Sequence, residues 1–224
     1  MRDVIRTNGL VIAADNSGAI GQKEQDAVEA PYEVVGYFSA RVALMECIAA
    51  GGEPFAAVLH NFSGDTAWTP LQEGVQRAAA ELGCKLEVTG STESNFSMLQ
   101  SAAGMVIIGR HVRDTDRVEG SRVQYGIVGK PLVGSEVLEY PKDVASLSVF
   151  HKVVKMEGVR AVLPVGSKGI SYELRQLSGK EGCCELDMEK SAGPSTCFLV
   201  AFEEKAAQRI ERAAGQLYRL NIFE

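Results

Sequence analysis

The chain has 224 residues, 46% of them hydrophobic, with a net charge of −6 and a mean hydropathy of −0.01. That length holds one large domain or two small ones around a substantial core. The acidic balance argues against general nucleic-acid binding, and no apolar run approaches the roughly 18–20 residues of a membrane span.

The first segment, Met1-Arg2-Asp3-Val4-Ile5-Arg6, lacks the apolar stretch of a signal peptide. Cys47, Cys84, Cys183, Cys184 and Cys197 are odd in number and irregular in spacing, which points to reduced thiols and a cytoplasmic protein. An apolar run over 8–14 predicts a buried strand. Glu33 to Ala50 reads as a helix, with Phe38, Val42, Met45 and Ala49 at helical spacing and Gly51-Gly52 as its stop. Residues 55–60 form the next strand. Thr69-Pro70-Leu71-Gln72 then opens a second helix with Thr69 as N-cap, Pro70 in the first helical position and Gln72 closing a capping box. Trp68 suits a hydrophobic staple before that cap. The helix stripe is Leu71, Val75, Ala78 and Leu82, ended by Gly83. Lys85–Thr89 alternates like a strand, and Met105–Ile108 reads as a buried one.

Residues 113–130 are charged and glycine-containing and are expected to include a connection between two halves. Beyond them the spacing predicts a helix over 141–156, a strand at 161–163, a short helix over 170–177, a strong strand over 196–202 and a helix over 203–217. Cys183-Cys184 reads as part of a further strand rather than a metal or redox motif, because it lacks C-x-x-C spacing. The whole is an α+β chain with two halves, 1–120 and 121–224.

The chemistry-bearing residues concentrate in the first half. Asp15-Asn16-Ser17-Gly18-Ala19-Ile20-Gly21 follows the first strand, with Lys23 and Asp26 beyond it. One reading is an ordinary Asx turn. The other is a phosphate-binding loop. In it the backbone at Gly18 and Gly21 approaches phosphate oxygens, Lys23 adds positive charge and Asp15 holds magnesium. Glu46 sits beside the apolar stripe of its helix, where it is either a metal ligand or a rim glutamate paired with an arginine such as Arg41. His60 ends a strand beside Asn61, Ser63 and Asp65; it either accepts a hydroxyl proton in catalysis or satisfies a loop carbonyl. Lys168, in Gly166-Ser167-Lys168-Gly169, is a further candidate phosphate contact.

Three segments resemble the AIR synthase-like superfamily, which includes thiamin monophosphate kinase, selenophosphate synthetase and the hydrogenase maturation dehydratase. They are the strand ending in Asp15 with its glycine-containing continuation, Glu46 ahead of Gly51-Gly52-Glu53-Pro54, and Thr89-Gly90-Ser91-Thr92-Glu93. The Gly166–Gly169 turn is a fourth, weaker match. The resemblance implies an AIR synthase-like two-part fold, with an N-terminal α/β half whose sheet pairs with a second copy and a shortened C-terminal half. It implies ATP as the phosphoryl donor, magnesium held by Asp15, Glu46 and Glu93, and nucleotide contacts from Asn16, Ser17, Gly18, Gly21, Lys23, Ser91, Thr92 and Lys168. Asp15 and His60 are then the catalytic candidates. Ser91 departs from the pattern, since it stands where an acid is expected. Within the superfamily the Asp15–Gly21 segment looks most like the α-ribazole kinases, which phosphorylate the 5′-hydroxyl of α-ribazole in cobalamin lower-ligand salvage. A thiamin monophosphate kinase-, ligase- or dehydratase-like enzyme of the same fold and a non-catalytic nucleotide-binding regulator are the alternatives.

Overall fold

The computed structural model describes residues 4–115 and 123–223, and the chain divides into two compact units, Met1–Asp114 and Thr115–Glu224. The boundary expected at 120/121 lies outside the described residues.

The first unit opens with a hairpin of β1 (Val4–Thr7) and β2 (Leu10–Gly18). Asn8 and Gly9 make its two-residue turn, both with positive φ, 49° and 73°. Asn-Gly is the residue pair that such a turn favours, because its backbone twist matches the twist of the flanking strands. Two short strands follow, β3 (Ile20–Gly21) and β4 (Val28–Glu29), then α1 (Tyr32–Ala49), β5 (Gly52–Asn61), α2 (Trp68–Glu81), β6 (Glu87–Thr92) and β7 (Ala102–His111). Five strands form one sheet in the order β1-β2-β7-β5-β6, antiparallel except where β6 joins β5 in parallel through the α2 crossover. The strands alternate. Val11, Ala13, Ala57, Leu59, Ala103, Met105 and Ile107 are buried on the face that α1 covers. Ile12, Ala56, Val58, Val106 and Ile108, on the other face, are only half-buried. Each large side chain on the covered face contributes about 1.5–3 kcal/mol on burial.

Helix α1 is buried nearly all round, and this corrects the expected stripe. Met45 and Ala49 are buried, but Phe38 and Val42 are among its few half-buried residues. A helix held between a sheet and α2 has two packed faces, so apolar spacing cannot single out one of them. The two helices approach closely where Gly36 faces the Leu71 backbone and Gly74 faces the Glu33 backbone; a Cβ at either glycine would collide with the facing carbonyl. Thr69 is not the cap of α2. A 3₁₀ turn over Asp65–Ala67 leads straight into Trp68, and Ala67 precedes the helix without a side-chain cap. The stripe Leu71, Val75, Ala78, Leu82 is buried as its spacing predicts, and Gly83 ends the helix at φ +66°.

The second unit contains β8 (Val123–Val128), α3 (Glu136–Glu139), α4 (Leu147–Val154), β9 (Val159–Pro164), α5 (Gly169–Ser178), β10 (Gly182–Cys183), β11 (Phe198–Glu203), α6 (Ala207–Ala214), β12 (Tyr218–Arg219) and β13 (Asn221–Ile222). Its main sheet runs β12-β8-β11-β9, all antiparallel. Phe198 to Phe202 are all fully buried. Leu199 and Ala201 pack with Ile127, Leu163, Ile170 and Leu174 on one side. Phe198 meets Phe150 of α4 edge-on at 5.2 Å.

Three expectations change here. The helix expected over 141–156 is a 3₁₀ turn at Pro141–Asp143 followed by α4, which starts where Ser146 Oγ accepts the Val149 N–H. The helix expected over 203–217 shrinks to α6, preceded by a 3₁₀ turn and stopped at Gly215 with φ +79°. The strand expected through Cys183-Cys184 ends at Cys183. Beyond it Asp187 Oδ1 accepts the N–H groups of Glu189 and Lys190 and curls the chain. The range 113–130, expected to include the connection between the halves, also holds β8, whose pairing partner β11 lies about 70 residues on in sequence. All five cysteines are free, and among the described residues no helix is long and apolar enough to cross a membrane.

Candidate functional site

The segment read as a loop from Asp15 to Gly21 is mostly strand. Asp15 pairs with Met105 and Gly18 with Ala102, so β2 keeps its ladder through the whole Asp-Asn-Ser-Gly run. The chain turns only at Ala19, where φ is +57° and the N–H donates to Ser101 O at 2.8 Å. The two glycines serve different ends. Gly18 is exposed, with open space where a Cβ would stand. Gly21 is buried, and a Cβ there would strike Ser101 and the Tyr32 ring, so its bare backbone serves packing.

Residues 23–26 are knotted to the end of the β6–β7 loop. Lys23 Nζ donates to Met98 O at 2.8 Å and more weakly to Gln100 O at 3.5 Å. Gln100 Nε2 donates to Gln25 O at 2.7 Å. Asp26 accepts three bonds: Ser101 N–H at 2.7 Å, Ser101 Oγ at 2.7 Å and the Lys23 N–H at 2.9 Å. Tyr32 O–H and Ser101 Oγ lie 3.0 Å apart. Burial alone would raise the Asp26 carboxyl, but the bonds from Ser101 and Lys23 outweigh it and hold the group below its ordinary value. The sequence alone assigns Asp26 no role. Its signal was the Lys-x-x-Asp spacing of a turn that closes on its own backbone.

A second polar cluster sits at the ends of β5 and β6. Asn61 is buried; its Nδ2 donates to Gly64 O at 2.8 Å and Thr92 Oγ1 at 3.0 Å, and its Oδ1 accepts the Ser63 N–H at 2.9 Å. Ser63 Oγ bridges to Ala102 O and Ala102 N, both at 3.1 Å. Glu93 Oε1 accepts the N–H groups of Asn95 and Phe96 at 2.7 and 3.1 Å, so this carboxylate caps the loop that it opens. His60 is exposed and lies over Gly104 on the half-buried sheet face, opposite to the α1 side that Asp15 shares with Ala13 and Met105. Ser91, its register partner on β6, is exposed too.

The candidate metal acids are spread along the unit. Glu46 is 2% exposed and Arg41 is fully buried, which overturns the reading of Glu46 as a rim residue. Cys47, next to Glu46, packs its sulfur against Gly52 and Gly109, at the Val11 end of the sheet. Asp15 lies four residues farther along β2, about 13 Å at the rise of a strand. Among the described residues no three His, Cys, Asp or Glu side chains converge as a metal cluster.

No protein-family model matches the chain, and no curated protein matches it significantly. Solved structures do. The thiamine monophosphate kinase of Aquifex aeolicus superposes with a TM-score of 0.69 over 100% of this chain and 88% of its own, at 15% identity. A structure described as AaThiL complexed with AMPPCP and TMP gives 0.67 over 99% and 84%, at 14% identity. A HypE–HypF complex gives 0.67 over 98% and 86%, at 12% identity. The chain has the AIR synthase-like fold.

On that AIR synthase-like frame the second unit offers one candidate contact. Lys168 is exposed just ahead of α5, with Nζ 4.5 Å from the centre of the Tyr172 ring. Its turn is braced: Gly166 O accepts the N–H groups of Gly169 and Ala192, and the Ser171 N–H donates to Met188 O. Gly169, at φ +77°, lies directly against the backbone of Met188 and Glu189, where no side chain fits. The lysine therefore stands on rigid backbone with its ammonium exposed, as a point charge for an anion requires.

Proposed function

We propose that this chain is an ATP-dependent kinase that phosphorylates a hydroxyl group of a small molecule. The observation that carries the reading is the likeness over essentially the whole chain to thiamine monophosphate kinase, one structure of which holds AMPPCP, an ATP analogue. Phosphoryl transfer asks a protein for positioning and charge neutralisation more than for covalent chemistry. The exposed surface at Gly18 and the ammonium of Lys23 are suited to phosphate oxygens; Lys168, on the second unit, is a separate exposed candidate for an anion. Magnesium commonly takes one or two carboxylates and completes its shell with phosphate and water, so a three-acid cluster is not required. Asp15, half-buried on β2, fits as the protein ligand. Glu93 fits less well, since its carboxylate already caps a loop. When bound, magnesium would neutralise charge on the transferred phosphoryl group. His60 takes no part in this reading, because it faces away from Asp15.

We take the 5′-hydroxyl of α-ribazole as the acceptor, supported by the resemblance of the Asp15–Gly21 segment to the α-ribazole kinases. We also propose a homodimer in which the half-buried face of the first sheet, with Ile12, Val106 and Ile108, meets its copy. A second reading, a nucleotide-binding regulator without turnover, is favoured by Ser91 at the acid position. ADP release measured with α-ribazole, thiamine monophosphate and no acceptor separates them. The proposal expects release that depends on α-ribazole. ATP binding without release in any arm supports the regulator. Sedimentation at micromolar concentration tests the dimer, and a monomer would contradict it.

A further inference from the structure

Four large apolar side chains of the first unit are exposed at one end of its sheet. Phe96 is 78% exposed, Leu99 72%, Met98 42% and Phe62 40%. Three of them ride on the loop between β6 and β7, and the fourth stands at its foot. The Phe62 N–H donates to Ala102 O at 3.0 Å, at the loop's end, and the Glu93 N–H donates to Asn61 O at 2.8 Å, at its start. The loop is thus hydrogen-bonded at both ends to residues 61 and 62.

This loop is built rather than loose. Glu93 caps its first turn, and Lys23, Gln25 and Asp26 clasp its last residues through bonds of 2.7–2.8 Å. Backbone that is held this firmly could have turned its apolar residues inward. Instead it presents them to solvent, beside the hydrogen-bonding side chains of Asn61, Ser63 and Thr92 and on the same knot as Lys23. An apolar surface with a polar and cationic rim fits a ligand that has one flat apolar end and one polar end to be phosphorylated. The patch is too small for a protein partner. Four such side chains at these exposures offer on the order of 400 Å², against roughly 800 Å² per partner in a stable protein interface.

The geometry points to the 93–101 loop, with Phe62, as the platform on which the planar aromatic ring of the acceptor rests. Phe96 stacks on the ring face and Leu99 and Phe62 close its edges, while the clasp fixes the distance between ring and phosphate-binding ammonium. Aromatic stacking is tolerant of ring identity, so the platform selects aromatic ribosides as a class. This inference rests on the kinase reading for its substrate.

The test uses two independent readouts on the full chain, wild type, Phe96→Ala, Leu99→Ala and Phe96→Tyr. AMPPCP affinity by calorimetry reports on the nucleotide. Saturation-transfer NMR of α-ribazole reports which of its protons touch the protein. The expected result is strong transfer to the ring protons of α-ribazole in the wild type and in Phe96→Tyr. Transfer, or the apparent affinity, should fall about tenfold in Phe96→Ala and less in Leu99→Ala, with AMPPCP affinity within twofold throughout. Because both residues are exposed, the thermal midpoints should not move. Transfer that is absent in the wild type, or unchanged in Phe96→Ala, overturns the platform. Loss of AMPPCP binding by the wild type would instead overturn the kinase reading. A change from dimer to monomer in Phe96→Ala would assign the loop to a subunit contact and also overturn the platform.

Discussion

The two units use their sheets differently. In the second, β11 is buried on both faces, with Leu199 and Ala201 packed on one side and Phe198 against Phe150 on the other. In the first, β7 alternates between buried Met105 and Ile107 under α1 and half-buried Val106 and Ile108 on the far side. The second sheet spends its surface on core. Within its own unit the first leaves one face half-buried and one end open, and its loops at that end carry hydrogen-bonding and cationic groups. Polar chemistry therefore gathers where the strands stop being needed for packing.

The largest effects should come from the closed sheet. Phe198→Ala removes a side chain packed on all sides and should cost about 3–5 kcal/mol in denaturant unfolding. Ile108→Ala, on the open face, should cost less than about 2 kcal/mol in dilute protein. If Ile108→Ala costs as much as Phe198→Ala, the open face is covered in solution, and the penalty should then grow with protein concentration.

A smaller effect belongs to the clasp. Asp26→Ala removes three hydrogen bonds to a carboxylate and should destabilise by about 1.5–3 kcal/mol at pH 7. The Asp26 carboxyl titrates below its ordinary value of 3.8 in the folded chain. Its contribution should thus be complete above that pH and fade as pH falls through the lower folded value. Unfolding measured from pH 6 down to pH 2 should show this loss in wild type and a shallower one in Asp26→Asn.

Lys23→Ala should weaken AMPPCP binding by roughly 1–3 kcal/mol, the range of a charge-assisted hydrogen bond. A change below about 0.5 kcal/mol would leave Lys23 as a loop clasp alone. The smallest effect is chemical. Cys47 is pushed up to about 12, mainly by burial and secondarily by nearby Cys84, while Cys183 is exposed. Alkylation at pH 8 should modify Cys183 first and leave AMPPCP affinity unchanged.

Much of the architecture is legible in the chain. The stripe of α2 and the stop at Gly83 follow directly from spacing, because α2 buries one face, and the run Phe198–Phe202 is legible as an unbroken apolar stretch, as a strand covered on both faces requires. The face of α1 was not legible, since a helix packed on two sides carries no polar face to contrast. Nor was the full length of β2: Asp15-Asn16-Ser17-Gly18 has turn composition, and only its pairing with β7 keeps it extended. The site divides in the same way. Lys23 was visible as a charge beside glycines, but its partners Met98 and Gln100 lie more than 70 residues on. The roles of Asn61 and Ser101 depend on cross-strand register that no local pattern encodes.

The central claim is a phosphoryl transfer, and the most direct measurement follows the phosphoryl group itself. Purified chain incubated with γ-labelled ATP, magnesium and α-ribazole should give ADP and a riboside carrying the label on its 5′-oxygen, seen by mass spectrometry. Asp15→Asn should abolish most of that product while leaving the fold intact. Label that remains in ATP, or that appears only as free phosphate whether or not the riboside is present, would contradict the account.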